Sequence, residues 1–355
     1  MTYDALLLAC FGGPEGPDDV LPFLERVTAG RGIPRERLLE VGQHYLTLGG
    51  VSPINAQNRA LADALRSELA LRHVELPVYM ANRNSPPYFA DIVREMEADG
   101  HRRVLALATS AYSSYSGCRQ YREDLAKALA DAELSGDVVI EKVSPFGDLA
   151  GFVDAMRPGL LAALQHREET GALSGTQVLF TTHSIPHTMV AASGPQTGAS
   201  GQQYVDQHLE VAQALMASVP ADLAPARGWS LVYQSRSGPP GMPWLEPDIN
   251  DVLAESAANG VGSVIVVPIG FISDHIEVVW DLDTQAQQTA VSLGLEFTRV
   301  PTAGIAPDFV SGLVDRVTAA LSETAVDRGP LWSGLCAGSC CANARAALET
   351  IPGRS

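Results

Sequence analysis

The chain has 355 residues, 46% hydrophobic and 18% charged, which is typical of an ordered globular protein long enough for two domains. Its 24 basic and 41 acidic residues give a formal net charge of −17, so we expect it to attract cations and not nucleic acids. No uncharged apolar run approaches the ~18 residues of a membrane-spanning helix. Met1–Gly12 lacks the basic start of a signal peptide. We therefore expect a cytoplasmic protein without integral membrane contact.

Predicted strands and helices alternate along the chain. Strands are expected at Tyr3–Phe11, Pro77–Ala81, Val104–Ala108, Val138–Val143, Gln177–Thr182, Ser230–Gln234, Ser263–Pro268 and Glu296–Val300. The clearest helical patterns cover Asp18–Thr28, Pro53–Leu71, Gln202–Val219, Ile249–Ala258, Ile276–Ser292 and Ala306–Glu323. This alternation predicts an α/β protein with parallel, doubly wound sheets. The turn Gly12-Gly13-Pro14 lacks the third glycine of a dinucleotide-binding fingerprint, which disfavours a nucleotide cofactor.

An internal repeat divides the chain into two similar halves. Val78–Pro87 resembles Val232–Pro240, and each copy is followed by a helix, a glycine and an apolar strand. A ligand is therefore expected in the cleft between the halves, at the carboxyl ends of the strands. The predicted units are a Rossmann-like domain at 1–150 completed by the 306–323 helix, a second Rossmann-like domain at 151–305, and a cysteine-containing tail at 324–355.

Carboxylates follow the predicted strand that ends at Pro268. Ser273 and Asp274 are residue types that cap helices, and Glu277 lies at the capping-box spacing from Asp274. On the helix that follows, Asp274, Glu277 and Asp281 are predicted to share one face. A capped, solvent-exposed helix would give the same pattern. The position of these acids, where a buried parallel strand ends, favours a binding site.

His183 follows the first predicted strand of the second half. Because His183 and Glu277 both follow parallel strands of this half, they can face one cleft, either as part of a metal site or as a proton-transfer pair. An isolated histidine after a strand is often only a loop residue. On sequence alone, His183 belongs to a poor zinc site. His187 and His275 are expected to be peripheral.

Six short motifs then occur in a recognisable order. They are Phe11-Gly12-Gly13-Pro14, Gly49–Asn55, Thr182–Pro186, Tyr233–Arg236, Pro243–Asp248 and Gly270–Glu277. In these motifs the chain resembles the ferrochelatase family, over nearly its full length. The resemblance implies two Rossmann-like domains with parallel sheets around a cleft that takes a porphyrin and inserts Fe²⁺.

The resemblance also implies roles for the candidate residues. His183 and Glu277 match positions that bind the metal or accept pyrrole protons, and which residue does which is left open. Asp281 would extend an acidic path for metal or protons. Relatives often continue this path with another acid one turn later, where this chain has Gln285.

The expected substrate is coproporphyrin III, because the chain is most similar to bacterial coproporphyrin ferrochelatases. The segment Pro14–Leu24, which contains Glu15, Asp18 and Asp19, lacks the hydrophobic lip of membrane-associated protoporphyrin enzymes. By motif match, the resemblance implies substrate contacts at Phe11, Arg31, Tyr45, Ser52, Arg119 and Tyr121. His44 stands where relatives often have arginine, and Phe11 stands where some have a tyrosine near the metal. Each contact residue also has a simple interpretation as a surface-loop residue.

Two other functions fit the same residues. One is a chelatase of this fold that prefers protoporphyrin IX or cobalt. The other is a non-catalytic carrier of haem or of an iron–sulfur cluster. Comparing turnover across porphyrins and metals distinguishes these functions from insertion of iron into coproporphyrin.

Three of the five cysteines lie close together near the end of the chain. Cys336, Cys340 and Cys341 have small neighbours and suit a metal centre, for which Cys10 or Cys118 would be the fourth ligand. The resemblance implies a [2Fe–2S] cluster on Cys118, Cys336, Cys340 and Cys341, because some ferrochelatases use one mid-chain and three C-terminal cysteines. Bound zinc and free thiols are the alternatives, and whether the adjacent Cys340 and Cys341 both bind the cluster is left open. We expect the cluster to pin the tail, and we expect a monomer.

Overall fold

The computed structural model describes residues 3–30, 32–195, 202–238, 241–322, 328–332, 336 and 338–354. The strands are β1 (Ala5–Cys10), β2 (Val78–Asn82), β3 (Arg103–Ala108), β4 (Val139–Val143), β5 (Thr176–His183), β6 (Trp229–Gln234), β7 (Ser263–Val267), β8 (Glu296–Arg299) and β9 (Gly353–Arg354). The helices are α1 (Pro17–Val27), α2 (Arg35–Thr47), α3 (Ile54–Leu71), α4 (Phe89–Ala98), α5 (Gln120–Asp131), α6 (Ala150–Glu169), α7 (His187–Ala191), α8 (Gln203–Ala217), α9 (Ile249–Ala258), α10 (Ile276–Val278), α11 (Gln287–Ser292) and α12 (Pro307–Leu321). π-Helical segments lie at Tyr115–Arg119 and Val279–Ala286.

The first sheet has the parallel strand order β2-β1-β3-β4-β9. β1 is buried along its whole length because helices cover both faces of this sheet. Its side chains alternate between two cores. Leu6 and Leu8 pack in a core that includes residues of α3, α6 and α12, whereas Leu7 packs with residues of α4 and α5.

The second sheet repeats this arrangement, with the parallel order β6-β5-β7-β8. The matching orders confirm the predicted α/β fold with two similar parallel sheets. One hydrophobic core is shared between the halves, since it includes Leu6 of β1 and Phe180 of β5. α12 packs against both α3 and α6. The exact domain boundaries stay a prediction.

The predicted helix Ile276–Ser292 is divided into three parts. α10 begins at Ile276, the chain continues as a π-helix over Val279–Ala286, and α11 ends at Ser292. The predicted capping box is wrong, because His275 is the N-cap and no side chain caps the helix. The Asp274 carboxylate instead accepts two hydrogen bonds from Arg299, at 3.0 and 3.1 Å. A bidentate ion pair of this kind is stronger than a single capping bond.

The C-terminal tail is less irregular than its sequence suggests. Gly353 pairs with Lys142, so β9 extends the first sheet beside β4. The preceding Ile351 is buried in the core of the first half. α2, which is not among the predicted helices, packs against α1. Among the described helices, none is both long and apolar enough to cross a membrane.

Candidate active site

His183 is the last residue of β5, and both its side chain and its backbone are held in place. Its Nδ1 lies 2.5 Å from the carbonyl oxygen of Ser184. Because a carbonyl oxygen can only accept, Nδ1 carries the hydrogen and Nε2 presents its lone pair. The carbonyl oxygen of His183 accepts a hydrogen bond from the Tyr204 hydroxyl at 2.9 Å. The hydrogen bond to Ser184 therefore fixes the orientation and the tautomer of the ring, and the bond from Tyr204 fixes the backbone.

Glu277 lies opposite this imidazole. Its Oε2 is 3.9 Å from Nε2 of His183, and the two side chains are 43% and 35% exposed. The pair is brought together because β5 and β7 are neighbours whose carboxyl ends meet at one edge of the sheet. A proton or a cation beside these strand ends can therefore reach both side chains.

Asp281 lies one turn further along, on the π-helical segment. Its Oδ2 accepts hydrogen bonds from the Ser235 hydroxyl and from Nε2 of Gln234, the latter at 3.5 Å. Burial raises the pKa of Asp281 to about 7, and the nearby charges of Glu277 and Asp248 act in the same direction. The carboxyl group is therefore poised between its neutral and charged forms near neutral pH.

The predicted acidic face is only partly formed. Asp274 does not join Glu277 and Asp281, because its carboxylate is occupied by Arg299. Within the described part of the chain, no group of three or more His, Cys, Asp or Glu residues is arranged to hold a metal ion. The candidate iron ligands are thus a pair, His183 and Glu277, with Asp281 turned towards Ser235.

An aromatic wall from the first half lies beside these acids. Phe11 packs edge-on against Phe23, and Phe23 lies 6.1 Å from the ring centre of Tyr45. Tyr45 is buried, and its pKa is raised by that burial and by the charges of Glu277 and Asp281. Ile276 belongs to the same hydrophobic cluster. This wall joins α1 and α2 to the start of α10.

The other predicted substrate contacts lie in different surroundings. Ser52 is buried, and its backbone N–H donates to Pro14 at 2.8 Å. Tyr121 is buried beneath Arg83, whose guanidinium is 4.0 Å from the ring centre. Arg119 pairs with Glu123 at 3.1 Å and also donates to the Gly338 carbonyl at 2.8 Å. Arg31 lies outside the described residues. Contact of these side chains with a substrate stays a prediction.

The chain that carries this histidine–carboxylate pair also matches a known protein family. The ferrochelatase family model matches residues 3–321. This chain belongs to the ferrochelatase family.

Curated relatives of this ferrochelatase-family chain cover nearly all of it. A coproporphyrin III ferrochelatase of Leifsonia xyli is 49% identical over 97% of this chain and 92% of its own length. One of Streptomyces coelicolor is 54% identical over 89% of this chain and 84% of its own length. One of Propionibacterium freudenreichii is 47% identical over 99% and 98%.

A solved chelatase supports the fold of this family member. The sirohydrochlorin chelatase SirB of Bacillus subtilis subspecies spizizenii, solved in complex with cobalt, superposes with a TM-score of 0.51 at 13% identity. The match covers 91% of this chain and 97% of that one. At this identity the comparison concerns the fold alone.

The four cysteines predicted to bind a cluster lie together in this family member. Cys118, Cys336, Cys340 and Cys341 are each at most 3% exposed. The sulfur atoms of Cys118 and Cys336 are 3.5 Å apart, and those of Cys340 and Cys341 are 3.6 Å apart. Hydrogen bonds from Cys336 and Cys341 hold the pKa of Cys118 well below its usual value. The pKa of Cys340 is lowered as well, whereas those of Cys336 and Cys341 are raised well above the usual value. Four buried sulfur donors have the chemistry that iron–sulfur clusters use, although among the described residues they are not prearranged around a single metal ion.

Buried cations surround this group of cysteines. Nζ of Lys142 lies 3.7 Å from Sγ of Cys118, and Arg122 donates to the carbonyl oxygen of Cys336 at 3.2 Å. Burial by itself lowers the pKa of Lys142, but the negative charges of Cys118, Cys336 and Cys341 outweigh it, so the pKa is raised overall. Cys10, the other candidate, is fully buried in β1, and its thiol faces the carbonyl oxygen of Leu8.

Sequence reasoning missed several residues that hold these sites. Tyr204 fixes the backbone of His183, and Ser235 and Gln234 hold Asp281. Ser235 and Gln234 lie in a motif that carries the family resemblance, which is the signal that could have indicated them. His275 was expected to be peripheral, yet the charges of Glu277 and His183 both influence its pKa, which burial lowers.

Proposed function

We propose that the protein inserts Fe²⁺ into coproporphyrin III. The observation that carries the proposal is the pair formed by His183 and Glu277, whose Nε2 and Oε2 atoms lie 3.9 Å apart beside the ends of β5 and β7. The choice of porphyrin is supported by relatives in Leifsonia, Streptomyces and Propionibacterium, which are named coproporphyrin III ferrochelatases.

His183 is proposed to take up pyrrole protons. Insertion releases two N–H protons as one dication enters, so the charge of the macrocycle is unchanged. Nε2 of His183 has the free lone pair and accepts one proton at a time, so the first proton must pass to the neighbouring acids or to solvent before the second is taken up, while Nδ1–H stays bound to Ser184. The imidazolium that forms lies beside the Glu277 carboxylate, which stabilises it.

Glu277 and Asp281 are proposed to guide iron and protons. Both provide oxygen donors, and the net charge of −17 favours the approach of a cation. Imidazole and carboxylate ligands together suit Fe²⁺, and His183 can act as such a ligand while its Nε2 is unprotonated. Glu277 is half exposed whereas Asp281 is turned inward towards Ser235, so the two acids lead from the cleft towards the π-helical segment.

The aromatic wall of Phe11 and Tyr45 is proposed to face the porphyrin ring. Aromatic side chains pack well against flat apolar ligands. Arg31 and Ser52 remain the proposed contacts for propionate groups, and Arg119 and Tyr121 are proposed with them. For Arg119, this contact requires its ion pair with Glu123 to open.

We also propose that Cys118, Cys336, Cys340 and Cys341 hold a [2Fe–2S] cluster. When bound, such a cluster can carry single electrons and can cross-link distant segments. The ligands tie the π-helical turn before α5 to the tail, and Arg122 supports the same connection through the Cys336 carbonyl. We propose pinning of the tail as the cluster's role. The cytoplasmic location and the monomeric state stay predictions.

The test is anaerobic Fe²⁺ insertion into coproporphyrin III and protoporphyrin IX, followed side by side by absorbance. We expect a clear preference for coproporphyrin III. His183→Asn is the inactive reference, and His166→Asn, at an exposed position on α6, is the matched control.

Other results would select another function. A preference for protoporphyrin IX, or for Co²⁺ over Fe²⁺, would overturn the substrate assignment but keep His183 and Glu277 in place. If neither porphyrin is metallated while the protein binds haem or an iron–sulfur cluster, the protein is a carrier and the proposal is wrong.

A further inference from the structure

Lys142 is a lysine in the interior of the protein. It lies in β4, within the sequence Val-Ile-Glu-Lys-Val, and is 1% exposed. Lysine is almost never fully buried unless its charge is paired, because removing an ammonium group from water costs several kcal/mol. The surroundings of Lys142 must therefore supply a negative charge.

Among the described residues, no carboxylate provides that charge. Nζ of Lys142 donates to the carbonyl oxygen of Val143 at 2.9 Å and lies 3.7 Å from Sγ of Cys118. No Asp or Glu within the described ranges lies within 4.0 Å of Nζ. The group that can be anionic beside it is the thiolate of Cys118, whose sulfur lies in contact with Nζ.

The other buried cation in this region has different contacts. Arg122 donates to the carbonyl oxygens of Ile351 at 2.8 Å and of Cys336 at 3.2 Å. These bonds orient the backbone of the tail. The charge of Arg122 also helps to lower the pKa of Cys118. Nζ of Lys142 lies in direct contact with the sulfur atom of that residue, so Lys142 is the cation whose placement we pursue here.

We propose that Lys142 is the fixed counter-charge of the sulfur centre formed by Cys118, Cys336, Cys340 and Cys341, and that it raises the reduction potential of the cluster bound there. Adding an electron makes the centre more negative, and a neighbouring ammonium stabilises that state. This inference rests on the proposed cluster but not on porphyrin metallation, so it is tested independently of chelatase activity.

The test compares the cluster-loaded protein with Lys142→Met, which keeps an unbranched side chain shorter by one atom and removes the charge. Redox titration under anaerobic conditions, followed by visible absorbance, measures the potential. We expect the potential of Lys142→Met to be lower by at least 59 mV, which corresponds to a tenfold change in the one-electron equilibrium constant. Lys142→Arg should restore most of the potential. Lys127→Met, at an exposed ion pair on α5, should leave it unchanged.

Thermal unfolding provides a second measurement that does not require the variant to load a cluster. Without the cluster the wild-type ammonium lacks its full counter-charge, so Lys142→Met should raise the Tm of the protein stripped with a chelator. In the loaded protein the same change should lower Tm or prevent loading. Lower Tm in both forms would mean that Lys142 only fills space, which overturns the proposal.

Assays of iron and acid-labile sulfide in the wild-type protein distinguish an incorrect cluster assignment from an incorrect role for Lys142. If both are absent, the cluster assignment is wrong and the role of Lys142 falls with it. If both are present and Lys142→Met keeps the wild-type potential, the cluster stands and the role of Lys142 alone is overturned.

Discussion

The two halves of the molecule share a strand order but differ at the carboxyl ends of their strands. In the second half, β5 ends in His183, and the segment after β7 carries Glu277. In the first half, β1 leads into Gly12, whose φ of 80° and close approach to Ser85 exclude any larger side chain. β3 of the same half leads to the π-helical segment that contains Cys118. The same strand order thus places acid–base groups after the strands of the second half, and a tight turn and a sulfur centre after the strands of the first half. Strand order determines where a site can form, whereas the residues after the strands determine its chemistry.

Removing the acid–base group of the second half should have the largest effect on the rate of iron insertion. His183→Asn should lower the rate of iron insertion by at least about 100-fold, since general base catalysis typically contributes that much. Anaerobic insertion assays at saturating porphyrin measure the change. The fold should be preserved, because Nδ1 bonds only to the adjacent Ser184 carbonyl. A variant with more than a tenth of the wild-type rate would exclude His183 as the base.

Removing the sulfur centre of the first half should affect stability instead. Cys336→Ser should abolish the visible absorbance of the cluster and lower the free energy of unfolding by about 2 kcal/mol or more, because Lys142 then loses counter-charge. Cys10→Ala removes another buried thiol of the same half, outside the group of four, and should keep the absorbance. Equal loss of absorbance in both variants would contradict the ligand assignment.

The junction between the halves should respond to pH. His208 of α8 stacks on Tyr112 of the first half, and Tyr112 donates to Ile269 of the second. Burial lowers the pKa of His208 to about 3. The unfolded chain, with a histidine pKa near 6.5, therefore binds more protons between these values, and stability falls as the pH decreases through this range. We expect a loss of about 2 kcal/mol between pH 8 and pH 5.

Thermal or denaturant unfolding across this pH range measures the effect. His208→Gln should flatten the dependence by about that amount, whereas His166→Gln, at an exposed position, should retain it. An unchanged slope in His208→Gln would show that other groups cause the acid sensitivity of the junction.

Sequence reasoning located the strand ends but not the long-range contacts. His183 and Glu277 could be placed together because parallel strands of one half direct their carboxyl ends to one edge. The pairing of Asp274 with Arg299 could not be predicted, since Arg299 lies 25 residues away in β8 and competes with local capping. The burial of Lys142 could not be predicted either, because a strand that contains Glu-Lys resembles a surface strand. The π-helical segment around Asp281 has no signal in composition, since it depends on a shift in backbone hydrogen bonds.

The smallest expected effect on the rate is that of replacing Tyr204. The contacts of this residue link His183 to the segment beside the sulfur centre. Its hydroxyl donates to the His183 carbonyl at 2.9 Å. Its backbone N–H donates to Ser193 at 3.0 Å, next to Gly194, which donates to the sulfur of Cys341 at 3.3 Å. Tyr204→Phe removes the bond to the His183 carbonyl together with the contact of the same hydroxyl with Oγ1 of Thr182 at 2.8 Å. Because one hydrogen bond contributes about 1 kcal/mol, kcat should fall about three- to tenfold with little change in KM.

Steady-state kinetics separate this positioning role from a general loss of structure. Tyr79→Phe, which removes an exposed bond to Asp99, is the control and should leave kcat unchanged. If Tyr204→Phe lowers Tm but not kcat, the hydroxyl serves stability only. If kcat falls as expected, the imidazole depends on a helix that also contacts the cysteine tail. The sulfur centre and the acid–base pair would then share one support, although they belong to different halves.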